Sequence, residues 1–264
     1  MENITIYGEC EMSKERSKEK NIKPMNSEDN EIDKIIEKSK EKELTKKKEL
    51  IGLIIGWIGA MAGLVGMAAF NNFVLMSLSL GMRMVLIILM RGALMLIPFI
   101  IMLISRDRLR DYGFTKDKLG VQIGLGFILG FAVSLMLTFI PILAGKGIIV
   151  DNGRRYVYAW QFMHEFIYCM AIGLSEEYVF RGFIYEKVRR LSGTNSMAVI
   201  ISSILFGFMH LLGGNMIQVT LTALLGALFC YFRLKIKNCS LLSIIICHGV
   251  YDFMITVCSS AFMG

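Results

Sequence analysis

The sequence predicts an all-α fold, a polytopic transmembrane helical bundle of about seven spans behind a charged cytoplasmic N-terminal tail. Hydrophobic residues make up 55% of the 264, and mean hydropathy is +0.56; soluble domains hold about 45–50% apolar residues. Apolar stretches near the roughly 20 residues that a bilayer-spanning helix needs recur along the sequence. Acidic residues are largely confined to the start, with 13 of the 22 in the first 50 positions beside 12 Lys or Arg.

Taken in order, residues 1–50 read as a charged, flexible tail in which Ile32, Ile35 and Ile36 could nucleate a short amphipathic helix. No apolar stretch follows directly on a basic start, so a cleaved signal peptide is not expected. Spans are expected at 51–80, 84–105, 121–145, 160–182, 195–212, 215–232 and 240–262. The first three form an N-terminal group over 51–145, and the last four a core over 160–262. With the tail inside, eleven Lys or Arg fall in cytoplasmic loops 106–120, 183–194 and 233–239, against four (Arg83, Lys146, Arg154, Arg155) on the other face. That asymmetry supports a cytoplasmic N-terminus. The basic residues lie in short runs between apolar stretches, facing anionic lipid, and no basic groove with stacking aromatics points to nucleic acid. The six cysteines include no CxxC pair and read as small buried hydrophobes. Met61, Met67, Met76, Met82, Met84, Met90 and Met95 read as lipid-facing or packing residues.

Four acids, Glu165, Glu176, Glu177 and Asp252, fall inside apolar segments, whereas Asp107, Asp111, Asp117, Asp151 and Glu186 are placed in loops. An ionisable group at mid-membrane costs about 2.5–3.5 kcal/mol on insertion scales and needs a reason. Glu177 and Arg181 are four apart, on one helix face where they can pair. Glu176 then points about 100° away, unpaired and suited to general acid or base work. Leu191-Ser192-Gly193-Thr194-Asn195 reads as a helix stop and turn, making an antiparallel hairpin. Glu176 precedes Gly193 by as many residues as His210 follows it, so both stand at one depth. His248 and Asp252 share a face of the last helix, the pairing that fixes an imidazole's tautomer, and Gly249 would admit a second backbone or a substrate.

In this order, Glu176-Glu177-xxx-Arg181, Phe206-xxx-His210 and His248-xxx-Asp252 resemble the three motifs of the CAAX protease and bacteriocin-processing (CPBP, or Abi) family, which includes Ras-converting endoproteases and lysostaphin-resistance-type proteins. The resemblance covers 160–262. It implies a glutamate-dependent intramembrane endopeptidase acting on a membrane-associated or prenylated protein or peptide, in a bacterial-type cell membrane. Glu176 and His210 would activate water, and His248 and Asp252 would support the oxyanion. Many members carry Asn where Asp252 stands, so an anion there would act through His248 or be protonated. Whether a divalent metal such as zinc takes part, and the oligomeric state, are open at this level.

Other patterns fail on particular residues. His164-Glu165 begins an HExxH motif, but Tyr168 stands where the second histidine belongs, leaving His164 a structural reading. Gly173-Leu174-Ser175 starts a GxSxG turn that Glu177 breaks. A transporter or ion channel would also use buried Glu, His and Arg, yet no internal repeat is visible. A noncatalytic immunity or scaffold protein would tolerate loss of a motif member, and none is missing. Arg91 stands alone in the second span; snorkelling, pairing with an acid and lining a substrate entrance are all compatible with it.

Overall fold

The computed structural model describes residues 27–149, 151, 153–212, 214 and 216–263; the first 26 positions of the expected tail lie outside these. The protein divides into two compact units, residues 1–47 and 48–264. In the first, residues 27–47 are helical, and the side chains of Glu31 to Lys47 are exposed. Neither Gly nor Pro interrupts this stretch, and charges such as Glu43 and Lys47 are spaced for i,i+4 support. The short helix expected around Ile32 is therefore part of a long one, α1 (Ser27–Phe73).

In the second unit, α1 is followed by α2 (Leu80–Ile104), α3 (Leu119–Ser134), α4 (Ala159–Glu177), a π-helical segment (Tyr178–Ile184) and α5 (Tyr185–Ser192). Then come α6 (Asn195–Met209), α7 (Met216–Lys235) and α8 (Leu241–Phe262). A π turn (Leu135–Phe139) carries α3 on to Leu143; Pro141 has no amide hydrogen, so the turn before it widens. Among the described residues, five helices, α1, α2, the extended α3, α7 and α8, are long and apolar enough to cross a membrane. The segment from α4 to α5 is diluted by its charged residues, and α6 is shorter. The molecule is an integral membrane protein whose regular structure, among the described residues, is all helical.

The hairpin turn is as expected. Gly193 closes α5 in the left-handed region (φ 74°), and the Thr194 hydroxyl caps α6 by accepting from the Met197 amide at 3.4 Å. The segment 183–194, expected as a loop, is instead helical to Ser192, and Tyr185, Glu186, Lys187 and Val188 are buried. Its charges are paired. Lys187 Nζ lies 2.7 Å from Glu49 and 3.4 Å from Asp107, Arg190 bonds Asp107 at 2.9 Å and Glu186 at 2.9 Å, and Tyr112 donates to Asp107 at 2.7 Å. Asp107 and Glu186, assigned to loops, thus anchor a partly buried ion network that joins α1, the 105–118 connection and α5. Arg233, also assigned to a loop, is helical at the end of α7 and donates to the Arg181 carbonyl oxygen of the π segment.

Glycines set how closely the C-terminal helices approach. A Cβ at Gly173 would stand 2.5 Å from the Ile245 carbonyl oxygen and 3.0 Å from the Gly249 amide nitrogen; one at Gly249 would stand 3.1 Å from the Cys169 carbonyl oxygen. So α4 and α8 touch backbone to backbone, the packing that small residues permit in membranes. Gly126 and Gly130 of α3 meet α8 in the same way, at the Ser243 and Cys247 carbonyl oxygens. The approach expected at Gly249 is made by a second backbone.

Two outcomes follow from this packing. Gly173→Val must push α4 from α8 and should cost about 1–3 kcal/mol as overpacking does, read as a lower Tm in lipid nanodiscs; an unchanged Tm would show that the helices are not in contact. Burial alone would raise Asp107, but hydrogen bonds from Tyr112 and Arg190 hold it below its ordinary value of 3.8. Its stabilising share is present above that value and is lost as pH falls through the lowered one. Wild-type Tm should therefore fall with acidification below about pH 4 more steeply than that of Asp107→Asn, and parallel curves would contradict the assignment.

Candidate active site

Glu176 and Glu177 end α4, where the backbone passes into the π segment, and both are buried. π turns cluster at functional sites because each forces local backbone irregularity. Arg181, in this segment, is 0% exposed and places Nη1 2.9 Å from Glu177 Oε1. The expected pair is therefore formed wholly in the interior. Its guanidinium stacks 4.0 Å from the centroid of the Phe206 ring, with Phe229 at 5.6 Å. Gly226 of α7 makes room for it, since a Cβ there would lie 2.5 Å from Nη2.

The same Glu177 oxygen lies 2.7 Å from Nδ1 of His248 on α8. A carboxylate can only accept, so Nδ1 carries the proton. The other ring nitrogen, Nε2, faces Asp252 at 3.5 Å and Glu176 at 3.9 Å. The expected pairing of His248 with Asp252 is thus present, but the shorter contact crosses to α4. Glu177 and Arg181 hold His248.

Glu176 has a different environment from its neighbour. Its oxygens stand 3.9 Å from His248 Nε2 and 3.8 Å from Arg91 Nη1, both beyond direct hydrogen-bond length. Arg91 reaches in from α2 and donates to the Tyr168 hydroxyl. The lone charge of the second span therefore pairs with an acid. The sequence left Arg91 three readings, of which pairing with an acid is the one formed here, and nothing in it singled out Glu176 or Tyr168.

His210 stands at the C-terminal end of α6, where Nδ1 donates to its own helix at the Phe206 carbonyl oxygen, 3.0 Å away. Its Nε2 is then the nitrogen that can accept from a water. The Phe206 ring lies 4.9 Å from the His210 ring and 6.1 Å from the His248 ring, edge-on to both. His210 thus joins the group through Phe206. Phe229 of α7, 5.5 Å from the His248 ring, completes the apolar wall; a lone phenylalanine in an apolar helix gives no sequence signal.

The fourth acid, Glu165, belongs elsewhere. It receives Arg154, the Tyr156 hydroxyl at 3.1 Å and the Thr256 hydroxyl at 3.2 Å, and so ties α4 to α8 and the 151–158 connection. His164 donates through Nε2 to the Met84 carbonyl oxygen at 3.0 Å, a link from α4 to α2. Both are structural contacts.

The donors around Glu177 are already committed. Guanidinium groups flank both glutamates, the bonded Glu177 oxygen is already shared by Arg181 and His248, and His248 Nδ1 is taken. Among the described residues, no three His, Cys, Asp or Glu residues converge as a metal-binding group.

Arg181→Ala should leave Glu177 buried without its cation, at a cost of about 3–5 kcal/mol. A drop in Tm several times that of a surface Arg→Ala is expected, and the double variant Glu177→Gln with Arg181→Met should recover much of it. An Arg181→Ala Tm equal to wild type would mean that the pair is not buried.

Residues 158–254 match the family model described as type II CAAX prenyl endopeptidase Rce1-like. The matched stretch contains all three motifs and ends two residues beyond Asp252, and it bears out the resemblance to the CPBP family over that region. No curated protein and no solved structure matches the sequence.

Proposed function

We propose, from the likeness of residues 158–254 to type II CAAX prenyl endopeptidases, that this protein is a glutamate-dependent intramembrane endopeptidase. It would cleave a membrane-associated or prenylated protein or peptide within the bilayer, with its N-terminus on the cytoplasmic side. The observation that carries the assignment is the contrast between the two adjacent glutamates. Glu177 is tied at 2.7 and 2.9 Å, while the nearest charged partners of Glu176 stand 3.8 and 3.9 Å away. One carboxylate holds the site together, and the other can accept a proton from water.

In this reading, Glu176 takes a proton from a water that His210 Nε2 also holds, and the hydroxide attacks the peptide carbonyl carbon. Negative charge grows on the carbonyl oxygen, towards His248 Nε2, which donates in the doubly protonated imidazolium that Glu177 at Nδ1 and Asp252 at Nε2 favour; a donor fixed in a water-poor site stabilises such charge strongly. Glu177 fixes the imidazole from Nδ1, and Asp252 acts on Nε2 from 3.5 Å. As the tetrahedral intermediate collapses, the C–N bond breaks and the proton on Glu176 passes to the leaving amine. No step calls for a metal.

Purified protein in lipid, given a library of membrane-anchored and lipidated peptides, should cleave at one position, and Glu176→Gln should lower the rate by about 10²–10⁴-fold. His210→Ala should lower it as well, and chelators should leave it unchanged. Equal rates for wild type and Glu176→Gln would remove Glu176 from the chemistry; no cleavage by the folded wild type would favour a transport or scaffold function.

A further inference from the structure

A cavity of about 340 Å³ is lined by Arg91, the residue that stands 3.8 Å from Glu176; its volume is within the range of small-ligand sites, about 300–1,000 Å³. Arg91 and Arg154 both line it, and their guanidinium carbons lie 5.0 and 5.5 Å from the centroid of one ring, that of Tyr168. Asn71 adds an amide, and Leu64, Met67, Ile87 and Met90 supply apolar walls from α1 and α2. Met67 and Met90, read from the sequence as lipid-facing or packing residues, thus face a cavity. Because Asn71 is close to the 74–79 turn and Asp107 follows the far end of α2, the cavity lies towards the end of the bundle opposite the Asp107 network.

Each guanidinium is partnered, Arg91 by Glu176 and Tyr168 and Arg154 by Glu165, yet each has five N–H donors, both line the apolar-walled cavity, and a guanidinium matches a carboxylate in shape and donor geometry. The second feature is position. Arg91 Nη1 is 3.8 Å from Glu176, so a carboxylate held on its cavity side would place the adjoining peptide beside the proposed general base. We infer that this cavity is a specificity subsite for a carboxylate-bearing segment of the peptide substrate, with Arg91 the specificity-determining residue and Arg154 reinforcing it. The inference rests on the endopeptidase reading. Either the terminal carboxylate of the substrate or an Asp or Glu residue within it could supply the anion.

The test uses three membrane-anchored peptides with one scissile sequence: a free C-terminal acid without acidic side chains, its C-terminal amide, and the amide with one Asp. Wild type should cleave the free acid or the Asp peptide with a KM about tenfold or more below that of the plain amide, as expected for hydrogen bonds to a charged group. Whichever of the two is preferred identifies the source of the carboxylate. In Arg91→Gln the preference should vanish, and Arg91→Lys should restore part of it. Ala68→Trp, a bulky replacement at a lining position apart from the glutamates and histidines, should obstruct the cavity and raise KM with little change in kcat. Binding of the same peptides to Glu176→Gln should show the same order without turnover. Equal KM for all three peptides in wild type, or an unaltered KM in folded Ala68→Trp, would overturn the subsite. An intact binding preference without any cleavage by wild type would instead overturn the endopeptidase reading.

Discussion

The fully buried ion pair between Glu177 and Arg181 is the constraint on which the rest of the site depends. A charge inside the bundle is tolerated only when paired and further bonded, and here each partner recruits another element. Glu177 takes His248 from α8, and the Arg181 guanidinium takes Phe206 from α6 and Phe229 from α7. Four helices converge because one carboxylate and one guanidinium must be satisfied away from water. The close passage at Gly173 and Gly249 makes this convergence geometrically possible, since a wider separation of α4 and α8 would put the 2.7 Å contact out of reach.

Division of labour between adjacent acids follows from the same pair. Two carboxylates beside one guanidinium cannot be equivalent: one becomes part of the scaffold, and its neighbour, turned about 100° around the helix, meets a different set of groups. Glu176 faces Arg91, a residue outside the matched region. The N-terminal helices therefore reach the candidate site, through one charged side chain.

Much of this was legible in the sequence. Hydropathy located the apolar segments, the Gly193 turn and its Thr194 cap were visible as residue types, and the i,i+4 spacing of Glu177 and Arg181 gave their contact. Loops were read less well. Residues 183–194 are rich in charge, which ordinarily marks solvent, and only the three-dimensional pairing of Lys187 and Arg190 with Glu49 and Asp107, distant in sequence, lets them lie in a buried helix. The same holds for Arg233, whose partner is a backbone carbonyl that no composition could indicate. Contacts between helices are set by side chains far apart in sequence, so His248 was legible beside Asp252 but not beside Glu177.

The π segment between Glu177 and Tyr185 has a consequence for how this helix can change over time. Its wide turn is gripped on both sides, by Glu177 at the Arg181 guanidinium and by Arg233 at the Arg181 carbonyl. Rewinding the same residues, Tyr178–Ile184, as ordinary α-helix would rotate everything beyond them by roughly 100°. Lys187 and Arg190 would then swing away from Asp107 while Glu176 kept its place. The segment works as a phase shifter that lets one helix serve two sites whose facing directions differ, and losing one residue of it would keep both directions while giving up the wide turn.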